Sequence, residues 1–230
     1  MTERWYRFAV IVVKPLMRLL FRWDFRGYEN IPRTGGVIIA ANHISVADPF
    51  ALGLYVHEGG RPPRFMAKAS LFKIPVAGTI LRGLHQIPVY RYSAQARHAL
   101  DAAAAALRAG EVVVIYPEGT TTRDPDYWPM KARTGVARLA LETGVPVIPV
   151  GQWGAQQFLG RRGRFRPLPR KTLHVRAGAP VELSCWAGGK MDARALRECT
   201  DAIMDDITTL VAQIRGERAT GADAETRRSA

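Results

Sequence analysis

The chain has 230 residues, 47% of them hydrophobic, a length that suits one α/β domain with a single core better than two domains. With 33 Lys and Arg against 20 Asp and Glu, the net charge of +13 favours an anionic partner: nucleic acid, an anionic membrane surface or a phosphorylated substrate. Cys185 and Cys199 form no CxxC pair and have no metal-ligand spacing, so we expect free thiols in a reducing, intracellular compartment and no metal site.

The N-terminal segment, residues 1–24, is the most apolar end of the chain. Lys14 and Arg18 interrupt its apolar run and no small-residue cleavage site is visible, so we expect neither a membrane-spanning helix nor a signal peptide. On a helix, the basic residues fall within about 80° of one another and the remaining surface is apolar and aromatic. Those basic residues are Arg4, Arg7, Lys14, Arg18 and Arg22.

A narrow basic stripe on a broad apolar helix is typical of a segment that lies in the interface of an anionic membrane. We expect Pro15 to kink or split this helix. The alternative interpretation is an amphipathic helix that packs on the body of the domain or on a second subunit.

Beyond Trp23, short apolar strands alternate with helices along the chain. The composition predicts strands at 35–41, 86–90, 111–116, 145–150 and 172–178, and helices at 49–56, 93–109, 131–143 and 192–215, the last capped by Asp192. This alternation indicates an α/β fold: a single domain at 25–215 with a central mixed, mostly buried sheet flanked by helices, preceded by the amphipathic membrane-interface helix. Residues 216–230 are predicted to be a disordered tail.

A histidine and an aspartate lie five positions apart, directly after the strand at 35–41. Asp48 precedes Pro49, which predicts that it caps a helix, and a loop histidine bonded to backbone is the ordinary interpretation of His43. The two also fit a general base, because a histidine that takes a proton from a hydroxyl needs its other ring nitrogen held by an acceptor. We expect one oxygen of Asp48 to hold that nitrogen and the other to cap the helix.

A second polar segment, YPEGTTTRD at 116–124, ends the strand at 111–116. Its Pro-Glu-Gly turn breaks the strand and directs the hydroxyls and Arg123 outward, at a position where α/β sheets bind ligands; a plain polar loop is the alternative. The sequence has no G-x-S-x-G nucleophile elbow, HExxH helix or Walker phosphate loop. The usual support for a hydrolase, a metalloenzyme or a nucleotidase is therefore missing.

Four ordered motifs resemble those of the glycerolipid acyltransferases, in particular the 1-acylglycerol-3-phosphate acyltransferase family. They are Asn42-His43-x-Ser45-x-x-Asp48, GLHQIPVYR at 83–91, YPEGT at 116–120 and VPVIP at 145–149. Their order and spacing cover residues 36–150, which is far more specific than a lone His-x4-Asp pair.

The resemblance implies transfer of a fatty acyl group to the free hydroxyl of 1-acylglycerol 3-phosphate, giving phosphatidic acid in phospholipid biosynthesis. The donor would be acyl-CoA or acyl-carrier protein, acting as co-substrate with no further cofactor. The resemblance makes His43 the general base and Asp48 the residue that orients it, without an acyl-enzyme.

The resemblance places substrate binding on Glu118, Gly119 and Thr120. The family motif usually continues with arginine after Gly-Thr, and here that position is Thr121. We therefore expect phosphate binding by Arg123, assisted by Arg91, Lys68 or Arg133, because a guanidinium fork suits phosphate oxygens. An acceptor other than lysophosphatidate stays open: glycerol 3-phosphate, another lysophospholipid or a glycolipid.

These features predict a peripheral or monotopic enzyme on the cytoplasmic face of the cell membrane. Its expected partners are an anionic phospholipid membrane, a lysophospholipid acceptor, and acyl-CoA or acyl-carrier protein. One rival is a membrane-binding protein that keeps the fold without catalysis. Another is a nucleic-acid-binding module, which only the charge suggests; the sequence shows no basic and aromatic nucleic-acid motif, so we expect no nucleic-acid partner.

Overall fold

Seven strands form one sheet at the centre of the computed structural model, which describes residues 3–90, 96–160, 163 and 165–216. The strands are β1 (Phe21–Arg26), β2 (Val37–Ala41), β3 (Pro63–Lys68), β4 (Ile87–Val89), β5 (Val112–Ile115), β6 (Val147–Trp153) and β7 (Lys171–Ala177). The α-helices are α1 (Glu3–Leu20), α2 (Asp48–Glu58), α3 (Pro75–Gly83), α4 (Ala96–Arg108), α5 (Gly135–Thr143), α6 (Ala155–Phe158) and α7 (Ala193–Arg215).

The strand order is β1-β7-β6-β2-β5-β3-β4, and neighbouring strands run parallel except for β6 and β7, which are antiparallel. Every residue of β2 and β5 is buried, as expected for apolar strands covered on both faces. The predicted α/β fold with a mixed, mostly buried sheet is therefore confirmed.

Side chains of β2 alternate between the two faces of the sheet and divide the core into two parts. Ile38 and Ala40 pack with buried residues of α4, α5 and α7. Val37, Ile39 and Ala41 pack on the other face, with α2 and the C-terminal part of α1. Helices thus cover the sheet on both sides, which explains why these strands read as continuous apolar runs.

The parallel strands bring distant loops together at one edge of the sheet. Strand β5 lies between β2 and β3 and is parallel to both, so the three C-terminal ends point the same way. The loops that follow β2 and β5, at 42–47 and 116–134, therefore meet beside the end of β3. This is the edge at which α/β sheets commonly bind ligands.

Two features at the start of the domain can be compared with the expectation. Helix α1 continues through Pro15 without being split. The boundary expected at residue 24 lies inside β1, because α1 passes directly into this strand and Phe21 is buried in the core. The amphipathic helix itself is where the sequence places it.

Two helix ends can be compared directly with the expectation. The helix expected from residue 131 begins at Gly135, because the preceding residues form a loop in which Arg133 N–H donates to the carbonyl of Pro117. The N-cap of α7 is as predicted, with a carboxylate oxygen of Asp192 accepting from Ala195 N–H at 2.8 Å. The first residues of the helix predicted at 93–109, and the tail from residue 217 onward, lie outside the described residues.

Candidate active site

The loop between β2 and α2 holds the predicted pair. Nδ1 of His43 lies 2.9 Å from Oδ2 of Asp48. The Asp48 side chain is completely buried, while the His43 side chain keeps 15% of its surface exposed. When Nδ1 carries the proton that it donates to Asp48, Nε2 is left as a proton acceptor, and in the described part of the chain it has no hydrogen-bond partner.

The expectation that Asp48 also caps α2 is wrong. Asp48 is the first residue of the helix, and its side chain makes no capping bond to the helix backbone. Oδ2 accepts instead from the backbone N–H groups of Ile44 and Ser45, at 2.6 and 2.8 Å, in addition to His43. Oδ1 is buried without a partner among the described residues. The carboxylate therefore closes the loop that precedes the helix, because the N–H groups of that loop point back at it.

His43 is fixed by its backbone and ring face as well. Its N–H donates to Oε1 of Glu118 at 2.8 Å, and its carbonyl accepts from Thr122 N–H at 2.6 Å. The imidazole stacks on the ring of Tyr116, with centres 4.2 Å apart and planes 16° apart. Side chains and backbone from the loop after β5 thus determine where Nε2 points.

Glu118 connects the two loops rather than facing a ligand. Its other oxygen, Oε2, accepts from Met130 N–H at 3.0 Å, so both oxygens are used within the protein. Only 4% of the residue is exposed. This burial raises the pKa of Glu118 to about 8, and the bonds from Met130 and His43 offset the effect only in part.

A second polar pair joins the ends of β2 and β6. Asn42 and Gln152 exchange three hydrogen bonds of 2.7 to 3.1 Å, which involve both side chains and both backbones. Both residues are almost completely buried. The hydroxyl of Ser45 donates to the carbonyl of Leu159 at 2.8 Å, which secures the other end of the loop. The asparagine and serine of the first motif therefore have structural partners.

A cavity of about 1040 Å³ opens beside His43. Its wall is mostly apolar and comes from α1, α2, β3 and α3, with residues of the loop after β5 near the histidine. The apolar lining includes Ala9, Val10 and Val13 of α1, Phe50 and Leu54 of α2, Phe65 and Met66 of β3, and Ile80 and Leu81 of α3. A hydrocarbon chain and a general base can therefore occupy the same cavity.

One lysine and two arginines line this cavity, and two of these three residues were predicted. Lys68 ends β3, and Arg133 lies in the loop after β5. Gly119, also on the wall, has a φ of +74°, and a β-carbon there would lie 3.3 Å from Nε of Arg133. A residue larger than glycine at position 119 would therefore crowd the Arg133 side chain and strain the backbone. Arg197 of α7 is the third basic residue, and the sequence gave no reason to single it out.

Arg197 reaches the cavity from the C-terminal helix, where its Nη1 donates to the carbonyl of Ala132 at 2.8 Å. Arg123 is exposed and does not line the cavity, so the structure does not bring the favoured phosphate ligand to the site. Thr120 is half-buried and also stays off the cavity wall. Arg91 lies outside the described residues.

The two loops of the site lie within a segment that matches a known protein family. Residues 22–153, which include the loops after β2 and β5, match the family model described as Acyltransferase. The chain belongs to this acyltransferase family. The resemblance proposed from the four motifs is therefore confirmed, and Arg197 lies beyond the matched residues.

Two relatives of this acyltransferase-family chain are named 1-acyl-sn-glycerol-3-phosphate acyltransferase. The protein of Borreliella burgdorferi is 34% identical over 150 residues, which cover 65% of this chain and 58% of that protein. The protein of Bacillus subtilis is 26% identical over 171 residues, which cover 74% of this chain and 82% of that protein. The chain spans 44% of the length of a further relative, from Mycobacterium tuberculosis.

The fold is also similar to a solved structure, that of the 1-acyl-sn-glycerophosphate acyltransferase PlsC from Thermotoga maritima. The TM-score is 0.65 at 24% sequence identity, and the match covers 96% of this chain and 86% of that one. At this identity, the similarity concerns the arrangement of the sheet and helices.

The raised pKa of Glu118 predicts a specific pH dependence of stability. The stabilisation linked to its proton is fully present below about pH 4.5, the ordinary value, and is lost as the pH rises through 8. Relative to Glu118→Gln, which does not titrate, the free energy of unfolding of the wild type should fall over this range. One unit of pKa difference between the folded and unfolded chains corresponds to about 1.4 kcal/mol.

Urea unfolding at a series of pH values measures this difference. Glu142→Gln is the matched control, because Glu142 forms an exposed ion pair with Arg108 and should leave the pH dependence unchanged. Parallel curves for the wild type and Glu118→Gln would show that Glu118 does not bind a proton on folding.

Proposed function

We propose that this member of the acyltransferase family transfers a fatty acyl group from a thioester to the hydroxyl of 1-acylglycerol 3-phosphate, giving phosphatidic acid in phospholipid biosynthesis. The observation that carries the proposal is the His43–Asp48 pair, whose histidine lies on the wall of a large, mostly apolar cavity that is also lined by one lysine and two arginines. The names of the Borreliella and Bacillus relatives support the choice of acceptor.

His43 acts as general base in the proposed reaction. Nε2 takes the proton of the acceptor hydroxyl as its oxygen attacks the thioester carbonyl, and Asp48 stabilises the imidazolium that forms. The C–S bond then breaks, the carbonyl re-forms as an oxygen ester, and the thiolate takes the proton back from His43 to leave as a thiol. A thioester is an activated acyl donor, so the reaction needs no covalent enzyme intermediate.

The basic wall suits the phosphate of the acceptor. Arg133 and Arg197 each offer a planar guanidinium that can donate to two phosphate oxygens, and Lys68 adds a third positive charge. Arg133 takes the place that the sequence assigned to Arg123, because its side chain lies on the cavity beside Gly119. Because Thr121 stands where arginine is usual, the proposed phosphate ligands come from outside the motif.

The apolar part of the cavity suits an acyl chain, and acyl-CoA or acyl-carrier protein would supply it as co-substrate. Both donors present the same thioester carbonyl to the acceptor hydroxyl, so the proposed chemistry is common to them. The chain's own residues supply the base and the positive charges, and the proposal requires no further cofactor.

Helix α1 supports attachment to an anionic membrane. Its inner face packs on α2, where Lys14 pairs with Glu58 at 2.7 Å and Tyr6 OH lies 2.6 Å from Nδ1 of His57. Its outer face carries exposed apolar side chains: Phe8, Ile11, Val12, Leu16 and Leu19. The packing and membrane interpretations of this helix are compatible, because they use opposite faces.

Two of the five basic residues expected in the stripe on α1 do not belong to it, and the side chain of Arg4 lies outside the described residues. Lys14 is turned toward Glu58, and Arg22 belongs to β1, so the exposed charges on the described side chains of the helix are Arg7 and Arg18. None of the helices in the described ranges is both long and apolar enough to cross a bilayer. We propose a peripheral or monotopic protein on the cytoplasmic face of the cell membrane, held by the exposed apolar side chains on the outer face of α1.

Replacing the proposed base tests the reaction. His43→Ala should lower the rate of phosphatidic acid formation by about 10²- to 10⁴-fold, the usual contribution of general base catalysis. Binding to anionic liposomes should not change. Mass spectrometry of the product measures the rate, and His98→Ala, on the exposed side of α4, is the control. Equal rates in His43→Ala and wild type would contradict the mechanism and favour a non-catalytic membrane protein.

A second pair of variants compares the two candidate phosphate ligands. Arg133→Ala should raise the KM for lysophosphatidate about 10- to 100-fold, because a hydrogen bond to a charged group contributes roughly 1.5–3 kcal/mol. Arg123→Ala should change the KM less than about twofold, since the Arg123 side chain is exposed away from the cavity. Steady-state kinetics with lysophosphatidate, glycerol 3-phosphate and uncharged lysolipids also identifies the acceptor. A larger rise in KM for Arg123→Ala than for Arg133→Ala would instead indicate that Arg123 binds the phosphate.

A third experiment tests the membrane surface. Ile11 and Leu19 are 69% and 72% exposed, so Ile11→Glu with Leu19→Glu should leave the fold intact. The double variant should bind vesicles containing anionic phospholipid at least about 10-fold more weakly, because it places charge on the face that would enter the interface. Met191→Glu, at an exposed site before α7, is the control, and vesicle sedimentation is the measurement. Undiminished binding of the double variant would exclude α1 as the attachment surface.

A further inference from the structure

Arg215, the last residue of α7, contacts two segments that lead back to the catalytic loop. Its guanidinium carbon lies over the rings of Trp128 and Trp153, 4.2 and 4.6 Å from their centres. Its Nη1 also donates to the carbonyl of Asp126 at 3.0 Å. We propose that Arg215 is a positioning residue for His43, an inference that rests on the proposed transferase function. Arg215 lies outside the residues that match the acyltransferase family.

The first connection runs through Trp128 and the loop after β5. The carbonyl of Trp128 accepts from the hydroxyl of Thr122 at 2.7 Å, and the backbone N–H of Thr122 donates to the carbonyl of His43 at 2.6 Å. Two residues after Trp128, Met130 N–H holds the Glu118 carboxyl that receives the N–H of His43. Displacement of Trp128 would therefore disturb both backbone bonds of the histidine.

The second connection runs through Trp153, the last residue of β6. Its neighbour Gln152 donates its backbone N–H to Oδ1 of Asn42 and accepts from Nδ2 of the same side chain. Asn42 directly precedes His43. The two connections thus meet at residues 42 and 43, and the guanidinium of Arg215 contacts both tryptophan rings.

The contact suits a guanidinium for a physical reason. The faces of indole rings attract cations, and the planar guanidinium can lie against an aromatic ring while its N–H groups donate in its own plane. Both tryptophans also belong to a small apolar cluster with Val211 and Ala212, two buried residues of α7. That apolar packing remains when Arg215 is truncated, so the variant should fold with its loop less precisely placed.

Kinetics of Arg215 variants tests the proposal. Arg215→Ala should lower kcat roughly 10-fold, within the range that a displacement of about 1 Å produces at a reacting group, with the KM of both substrates changed less than about twofold. Arg215→Lys keeps the charge without the planar group and should give an intermediate kcat. The control is Arg176→Ala, because Arg176 contacts Gln213 of the same helix end and neither tryptophan ring. Rates are compared at a temperature at which circular dichroism shows every variant folded.

A double variant separates positioning from a general structural role. Thr122→Val removes the hydroxyl bond to the carbonyl of Trp128, together with the bond that this hydroxyl accepts from Asp124 N–H in the same loop. If Arg215 acts through the same loop, adding Arg215→Ala should lower kcat little beyond the larger single effect. The proposal would be overturned if the two substitutions lowered kcat independently, so that their effects multiplied in the double variant. An unchanged kcat in Arg215→Ala, or a change in KM alone, would also overturn it.

A readout independent of turnover distinguishes this inference from the proposed function. The ¹⁵N resonances of the His43 imidazole report its hydrogen bonding, and they should move in Arg215→Ala but not in Arg176→Ala. Unchanged His43 resonances in Arg215→Ala would overturn the positioning role. If the wild type transfers no acyl group to lysophosphatidate while these resonances still move as expected, the proposed function fails and the coupling between Arg215 and His43 stands.

Discussion

The architecture of the site depends on one buried oxygen, Oδ2 of Asp48. An isolated carboxylate would be costly to bury, and this one is stabilised by three donors: the His43 ring and the N–H groups of Ile44 and Ser45. The same three bonds determine the course of the loop and the orientation of the imidazole. Removing the carboxylate would therefore leave several buried donors without an acceptor, and the loop would lose its shape together with its chemistry.

Most polar groups around His43 form hydrogen bonds with other polar groups of the protein. Glu118 accepts from the backbones of two loops, and Asn42 is paired with Gln152. These contacts join segments separated by up to 110 residues, which meet because β2, β5 and β6 end or pair at the centre of one sheet. The ring of Tyr116 adds an apolar surface on one side of the imidazole. His43 is therefore held through its backbone, its Nδ1 and one face of its ring, and these contacts set the direction of Nε2.

The sequence determines the local features of this arrangement well and the distant ones poorly. The strand before His43, its pairing with Asp48 and the Asp192 cap depend on neighbouring residues, and all are present. The position of Arg123 depends on a turn in which Asp124 accepts from the backbone of residues 126 and 128, and this arginine stays exposed. Arg197 reaches the cavity only because α7 packs beside α5, and its helical pattern does not distinguish it from a solvent-facing residue. Composition likewise could not reveal which face of α1 packs on the domain and which face is exposed.

Helix α1 alone separates the cavity from the exposed apolar surface on its outer side. Ala9, Val10 and Val13 face the cavity, while Ile11 and Leu19 face outward. On a membrane, hydrocarbon inside the protein and hydrocarbon in the bilayer would be only about 10 Å apart, the diameter of a single helix. Leu20 is followed directly by Phe21 of β1, so no linker separates α1 from the sheet. The angle at which α1 rests on a lipid surface would therefore set the tilt of the entire domain, and with it the direction from which a lipid headgroup approaches the histidine.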